Sequence, residues 1–113
     1  MNRYDIAQYV NSIANDIMTE REHWDADDLH DIAHEHADGS QYVIYYAQAH
    51  EFVRALDGAE RSEAESHIVD CGMNPESYDD FAVQIAYWAL YELIIEAVTE
   101  KLEQQEAEEA TEA

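Results

Sequence analysis

Two histidines one helical turn apart have the spacing most suggestive of chemistry in this sequence. His30 and His34 enclose Asp31 and two apolar residues, and this spacing matches the zinc-binding pattern His-Glu-x-x-His, in which the glutamate acts as general base. Here aspartate replaces that glutamate, and its shorter side chain places the carboxylate differently. The third ligand would have to come from His36, His50 or His67 by the chance of folding. We therefore expect no metal site and no cofactor.

The other residues of catalytic type form no convincing site. Carboxylate pairs can act as acid and base, but with 27 Asp and Glu among 113 residues such pairs are inevitable. The single cysteine, Cys71, lies beside Asp70, whose negative charge disfavours a reactive thiolate. Three scattered glycines cannot form a phosphate-binding loop. We expect a protein that is not an enzyme.

The charge balance is the dominant feature. Five Lys and Arg stand against 27 Asp and Glu, which gives a formal net charge of −22. Phosphates and anionic membranes repel such a chain, so we expect neither direct nucleic-acid binding nor membrane binding. Acidic disordered chains are poor in aromatic residues, whereas this chain has eight Tyr and two Trp. We expect a folded cytoplasmic protein whose carboxylates lie on its surface.

Apolar periodicity predicts the elements that position these carboxylates. Ile6, Val10, Ile13 and Ile17 are spaced for one face of a helix from about Tyr4 to Glu20. Asp25 or Asp27 can cap a second helix. The inner face of this helix consists of apolar residues, namely Leu29, Ile32, Ala33 and Ala37.

The second half of the chain predicts further helices. A third helix begins near Ser40 and continues to about Asp57, with a strand as the alternative for Tyr42 to Tyr46, because β-branched and aromatic residues favour strands. Ala59 to His67 is a weak helix or an irregular segment. A long last helix covers about Pro75 to Gln105. The sequence thus predicts an all-α fold of four to five helices, with one domain over residues 1–105 and a flexible acidic tail over 106–113.

The predicted helices arrange carboxylates in rows. Carboxylates three or four residues apart on a helix have Cβ atoms about 5–6 Å apart, comparable to neighbouring phosphates along a DNA strand. Duplex DNA carries one charge per about 1.7 Å, so a dimer of this chain has the charge of roughly 75 Å of duplex. This scale favours DNA mimicry. The two rows are Asp27, Asp31 and Glu35 on the second helix and Glu92, Glu96, Glu100 and Glu103 on the last.

Four motifs follow one another along the chain. They are the block from Asp27 to His34, Asp-Asp-Leu-His-Asp-x-x-His, then Tyr45-Tyr46-Ala47, the run from Asp70 to Ser77, and Gln84 with Tyr91-Glu92. In order and approximate spacing they resemble the Ocr family of phage antirestriction proteins, and the block from Asp27 to His34 is the most specific. The resemblance covers about Tyr4 to Glu109. It implies a homodimeric all-α mimic of bent DNA that occupies the DNA channel of type I restriction-modification enzymes and also engages BREX methyltransferases, in the host cytoplasm.

The resemblance also implies particular residues. The dimer contact of the family lies in its third helix, which suggests Phe52, Val53 and Leu56 here. The best-matched phosphate surrogates are Asp27, Asp28, Asp31, Glu76, Glu92 and Glu96. The full set of candidate surrogates is Asp16, Glu20, Asp25, Asp27, Asp28, Asp31, Glu35, Glu76, Asp79, Asp80, Glu92, Glu96, Glu100 and Glu103.

Three alternatives remain open from the residues alone. An acidic phage protein can use the same surface on another basic partner, such as RNA polymerase or a CRISPR effector. A halophilic helical protein also carries excess carboxylates and very few lysines, and here there are five Lys and Arg in all. A metal-dependent enzyme centred on His30 and His34 is a third and weaker alternative.

Overall fold

Helices account for nearly all of the chain that the structure describes. The computed structural model describes residues 1–21, 23–72 and 77–112, without the side chains of Tyr78 and residues 109–112, and these ranges contain no strand. The all-α prediction is confirmed, but with six helices in place of the expected four to five. They are α1 (Arg3–Glu20), α2 (Ala26–Asp38), α3 (Gln41–Ile44), α4 (Tyr46–Ala55), α5 (Gly58–Asp70) and α6 (Tyr78–Glu112).

The first two helices form as their sequences predict. Asn2 caps α1 by accepting a hydrogen bond from the Asp5 amide at 2.9 Å, and the Asp5 carboxylate accepts one from the Asn2 amide in return. The four residues of the predicted apolar stripe of α1 are buried, so this face of the helix packs against the core. Asp25 caps α2 by accepting from the Asp28 amide at 2.8 Å. The caps satisfy amides that have no partner within the helix.

The predicted third helix is divided in two at Tyr45. Tyr45 has the extended angles φ −108° and ψ 126°, and it both ends α3 and precedes α4. The local run of β-branched and aromatic residues has low helix propensity, and the break lets Tyr42 pack edge-on against Tyr9, with ring centroids 5.0 Å apart. The strand alternative for Tyr42 to Tyr46 is wrong, because four of these five residues are helical or begin a helix.

The segment predicted as a weak helix or irregular is the regular helix α5. Asp57 and Glu60 have the capping-box pattern at its start, and the Glu60 carboxylate accepts a hydrogen bond from the Asp57 amide at 3.1 Å. The Glu60 carboxylate also accepts two hydrogen bonds from Arg3, one from Nε at 2.9 Å and one from Nη2 at 3.0 Å. Buried Ala64 and Ile68 face the core. The helix is therefore held by its cap and by α1 despite its weak apolar stripe.

The long helix α6 is the centre of the bundle and packs against each of the other five helices. Ile85, Leu90, Ile94 and Val98 are buried along its length. A helix of 35 residues is about 52 Å long, which accounts for the 54 Å long axis of the molecule. It continues past the predicted end at Gln105, so residues 106–112 of the predicted tail are helical; the flexibility of the tail stays a prediction.

By length and composition alone, α6 could cross a membrane. The segment Asp79–Glu108 contains a window with a mean hydropathy of 1.4, of which 44% is buried inside the protein. The central helix of a soluble bundle has the same composition, because it buries apolar side chains on several faces. The other five helices pack against α6, which agrees with its being the central helix of a bundle.

Candidate functional site

Two candidate surrogates at the start of α2 take part in holding the fold. The Asp25 side chain is the N-cap described above. Asp28 Oδ2 lies 3.0 Å from Arg21 Nη1, in an ion pair between the end of α1 and α2. Both carboxylates remain accessible, but part of the negative charge of Asp28 is neutralised within the chain. Asp28 therefore offers less free negative charge to a partner than the candidates that have no ion pair.

Two more candidates at the start of α6 have partners on α4. Asp79 Oδ1 lies 2.6 Å from His50 Nε2. Asp80 Oδ1 accepts a hydrogen bond from the Tyr46 hydroxyl at 3.1 Å, and this contact raises the pKa of Tyr46, first through the hydrogen bond and then through the charge of Asp80. These carboxylates fasten α6 to α4. The candidate Glu76 lies outside the described residues.

Nine candidates remain exposed on helices. Within the described ranges, their side chains make no hydrogen bond and no ion pair. A carboxylate held only by its helix keeps its full charge for a partner while its position stays fixed by the backbone. The nine are Asp16, Glu20, Asp27, Asp31, Glu35, Glu92, Glu96, Glu100 and Glu103.

The fold brings the two predicted rows towards each other. Asp31 in the α2 row and Glu92 in the α6 row both raise the pKa of Tyr91 by their negative charge, after the larger effect of burial. The Tyr91 hydroxyl is hydrogen-bonded to His30 Nδ1, which ties α2 to α6 at this point. At the other side of the α2 row, Glu20 of α1 lines the same open cleft as Asp31. The rows therefore border a shared part of the surface.

Glu63 is a site residue that the sequence analysis missed. It is exposed on α5 and lines a cleft between α5 and α6 together with Glu92 and Glu96. The sequence predicts a weak helix or an irregular segment here, and therefore no row of carboxylates. The pattern Asp-x-x-Glu at Asp57 and Glu60 was the signal that could have identified the helix.

The carboxyl group of Glu92 has a raised pKa. Partial burial is the largest cause, the negative charge of Glu63 adds to it, nearby His67 opposes it, and Glu96 contributes a smaller increase. Burial and like charge both favour the neutral form. Negative charge on α5 and on α6 therefore disfavours the ionised form of Glu92.

We predict that Glu92→Gln stabilises the fold at neutral pH. A carboxyl whose folded-state pKa is raised above the unfolded value costs stability as pH rises through that window, beginning near the ordinary value of 4.5. The substitution removes this cost. Urea unfolding should show a gain over wild type at pH 7 that shrinks as the pH falls through the raised pKa of Glu92 and is lost by about pH 4.5. The control Glu103→Gln, on the same helix and exposed, should gain less. Equal gains at both positions would contradict the assigned cause.

The two histidines of the metal hypothesis contact α6. His34 Nδ1 is hydrogen-bonded to the Tyr87 hydroxyl, and the His34 ring stacks on Tyr91 with centroids 4.0 Å apart and an angle of 20°. His30 makes the matching contact to Tyr91. Their spacing of one turn thus serves to attach α2 to α6. The described residues include no group of three His, Cys, Asp or Glu that could hold a metal ion.

The three predicted dimer-contact residues have different environments. Phe52 is fully buried and Leu56 is 6% exposed, both within the core of the single chain. Val53 is half-buried and is the one member of the three that offers appreciable surface. A dimer through this helix would therefore use Val53 and its exposed neighbours, with Phe52 and Leu56 supporting them from inside.

Comparison with known proteins gives no relative for this chain. No protein-family model matches it, and no curated protein or solved structure matches it.

Proposed function

We propose that this protein is a DNA mimic that occupies the DNA-binding site of a host-defence enzyme. The observation that carries the proposal is the set of nine exposed helical carboxylates without partners in the described chain, defined above. A net charge of −22 on 7019 Å² of surface leaves about 320 Å² for each net negative charge. The partner is a protein that binds DNA through lysine and arginine.

The mechanism is competition for those cations. Proteins that bind DNA gain affinity by neutralising phosphates and releasing condensed counterions. Carboxylates fixed on helices at about phosphate spacing offer the same charges without bases, so recognition does not depend on DNA sequence. Because the rows belong to packed helices, no ordering of a flexible acidic chain is required on binding. The action needs no catalysis and no cofactor.

The enzyme class follows from the resemblance of the Asp27–His34 block to the Ocr family. We propose a type I restriction-modification enzyme as the target and a BREX methyltransferase as a further one. In this proposal the protein acts as a homodimer in the cytoplasm of the host, where doubling the charged rows extends them along the DNA channel. RNA polymerase and CRISPR effectors are the alternative basic partners.

A competition assay tests the proposal. Purified protein is titrated into a complex of a type I restriction-modification enzyme with labelled duplex DNA at moderate salt. The protein should displace the DNA at a lower concentration than flexible polyglutamate carrying the same number of charges, because its carboxylates are already positioned. Absence of displacement, or displacement no better than that by polyglutamate, would refute this target.

We predict that single neutralisations within the rows have small effects. Asp31→Asn removes one exposed charge without removing any hydrogen bond or ion pair of the described chain, and one exposed charge pair is worth about 0.2–1 kcal/mol. The loss of affinity for the target should be about two- to fivefold. Asp16→Asn on α1, another of the nine carboxylates, should give a loss of similar size. A loss of tenfold or more at Asp31 alone would indicate a discrete site in place of a shared field.

A further inference from the structure

Trp24 is a fixed aromatic surface in the middle of the negative region. It follows α1, is half-buried against the core, and its indole Nε1 donates a hydrogen bond to the Ile17 carbonyl oxygen at 3.3 Å. That carbonyl lies in the last turn of α1, so the contact also satisfies a free helix end. The ring lines an open cleft between α1 and α2.

The guanidinium group of Arg21 lies on that ring. Its central carbon is 4.4 Å from the Trp24 ring centroid, and its Nη1 pairs with Asp28 Oδ2 at 3.0 Å. An aromatic face with a carboxylate beside it is the arrangement that best binds guanidinium, which stacks with its plane and donates from its edge. The side chain of Arg21 is 54% exposed, so this contact can open without disturbing the core.

The cleft holds more negative charge than Arg21 neutralises. Glu20, Asp31 and Glu35 line it with Asp28, and the first three have no ion pair or hydrogen bond within the described ranges. Four carboxylates thus surround one guanidinium. The surplus charge can accept an incoming cation in the position that Arg21 now occupies.

We propose that this cleft binds an arginine side chain of the partner protein, and that Arg21 is an internal placeholder which this arginine displaces. The inference rests on the proposed function for the nature of the partner, a basic DNA-binding protein. It adds that arginine is bound in preference to lysine, because an ammonium group is a compact charge without a planar face to stack on Trp24. The carboxylate rows attract a basic partner at long range, and this cleft makes the binding selective for arginine over lysine.

Peptides test the inference without any DNA-binding protein. Hexa-arginine and hexa-lysine are titrated into wild type, Arg21→Gln and Arg54→Gln at physiological ionic strength. Arg54 is exposed on α4 and has no ion pair in the described chain, so both variants lose one positive charge but only one opens the cleft. We expect hexa-arginine to bind wild type about two- to fivefold more tightly than hexa-lysine. Arg21→Gln should widen this ratio, and Arg54→Gln should leave it unchanged.

Trp24→Leu, which keeps apolar bulk but removes the aromatic face, should abolish the ratio. Equal binding of the two peptides to wild type and Arg21→Gln, or the same ratio in both arginine variants, would overturn the inference even if the leucine variant does not fold. The outcome is separate from that of the DNA-competition assay. If the protein prefers arginine but does not displace DNA, the cleft remains assigned and the type I target is refuted. If the protein displaces DNA but does not prefer arginine, the target stands and the assignment of the cleft is refuted.

Discussion

Phe52→Ala is expected to destabilise the folded chain by about 3–5 kcal/mol, because it removes a large side chain from a site where little relaxation is possible. Phe52 is 0% exposed, and its ring lies 5.5 Å from that of Tyr42 across the break between α3 and α4. The cavity would therefore open at the junction that orients α4 against the central helix. Urea unfolding followed by circular dichroism at constant salt measures the loss.

Val53→Ala is the matched control on the same helix. Val53 is half-buried, so its truncation should cost well under half as much stability. Sedimentation measurements on the same samples test the dimer separately: if the two copies meet at α4, Val53→Ala weakens their association while the fold remains intact. A Phe52→Ala variant as stable as wild type but unable to dimerise would contradict the assignment of Phe52 to the core.

Local patterns predicted the parts of the fold whose causes are local. The stripe from Ile6 to Ile17 and the cap at Asp25 depend on residues three or four positions apart, which the sequence shows directly. The break at Tyr45 could not be predicted in this way. The low helix propensity of the run from Tyr42 to Tyr46 indicates a weak point but does not show where the helix divides. The break is accompanied by a contact between Tyr42 and Tyr9, 33 positions apart, which local patterns do not show.

The candidate site was predictable to the same extent. Helical spacing predicted that Glu96 and Glu100 are exposed on one helix, and they are. It could not show that Asp79 is bound to His50, 29 residues away, or that Asp28 is bound to Arg21. Partners that are distant along the chain determine which carboxylates are free. The dimer contact at Phe52 is a different case, because it is implied by the resemblance to the Ocr family; the structure buries Phe52 within the single chain.

Salt is expected to have the largest effect on the proposed complex. A protein that neutralises six to ten phosphates loses about 10³–10⁵ in affinity between 50 and 200 mM salt. We expect a loss near the lower end, about 10³-fold, because the proposed complex uses about six of the carboxylates of one chain. The nine unpartnered carboxylates supply enough charges for six contacts without using those bound to Arg21 or His50.

The most direct test of DNA mimicry is the dissociation constant of this protein and a type I restriction-modification enzyme, measured across a series of salt concentrations beside that of duplex DNA. The structure predicts that both logarithmic plots are linear and fall with salt, with the slope for the protein at least half that for DNA. An affinity that does not change with salt, or binding that DNA does not exclude, would contradict the proposal that these carboxylates act as phosphates.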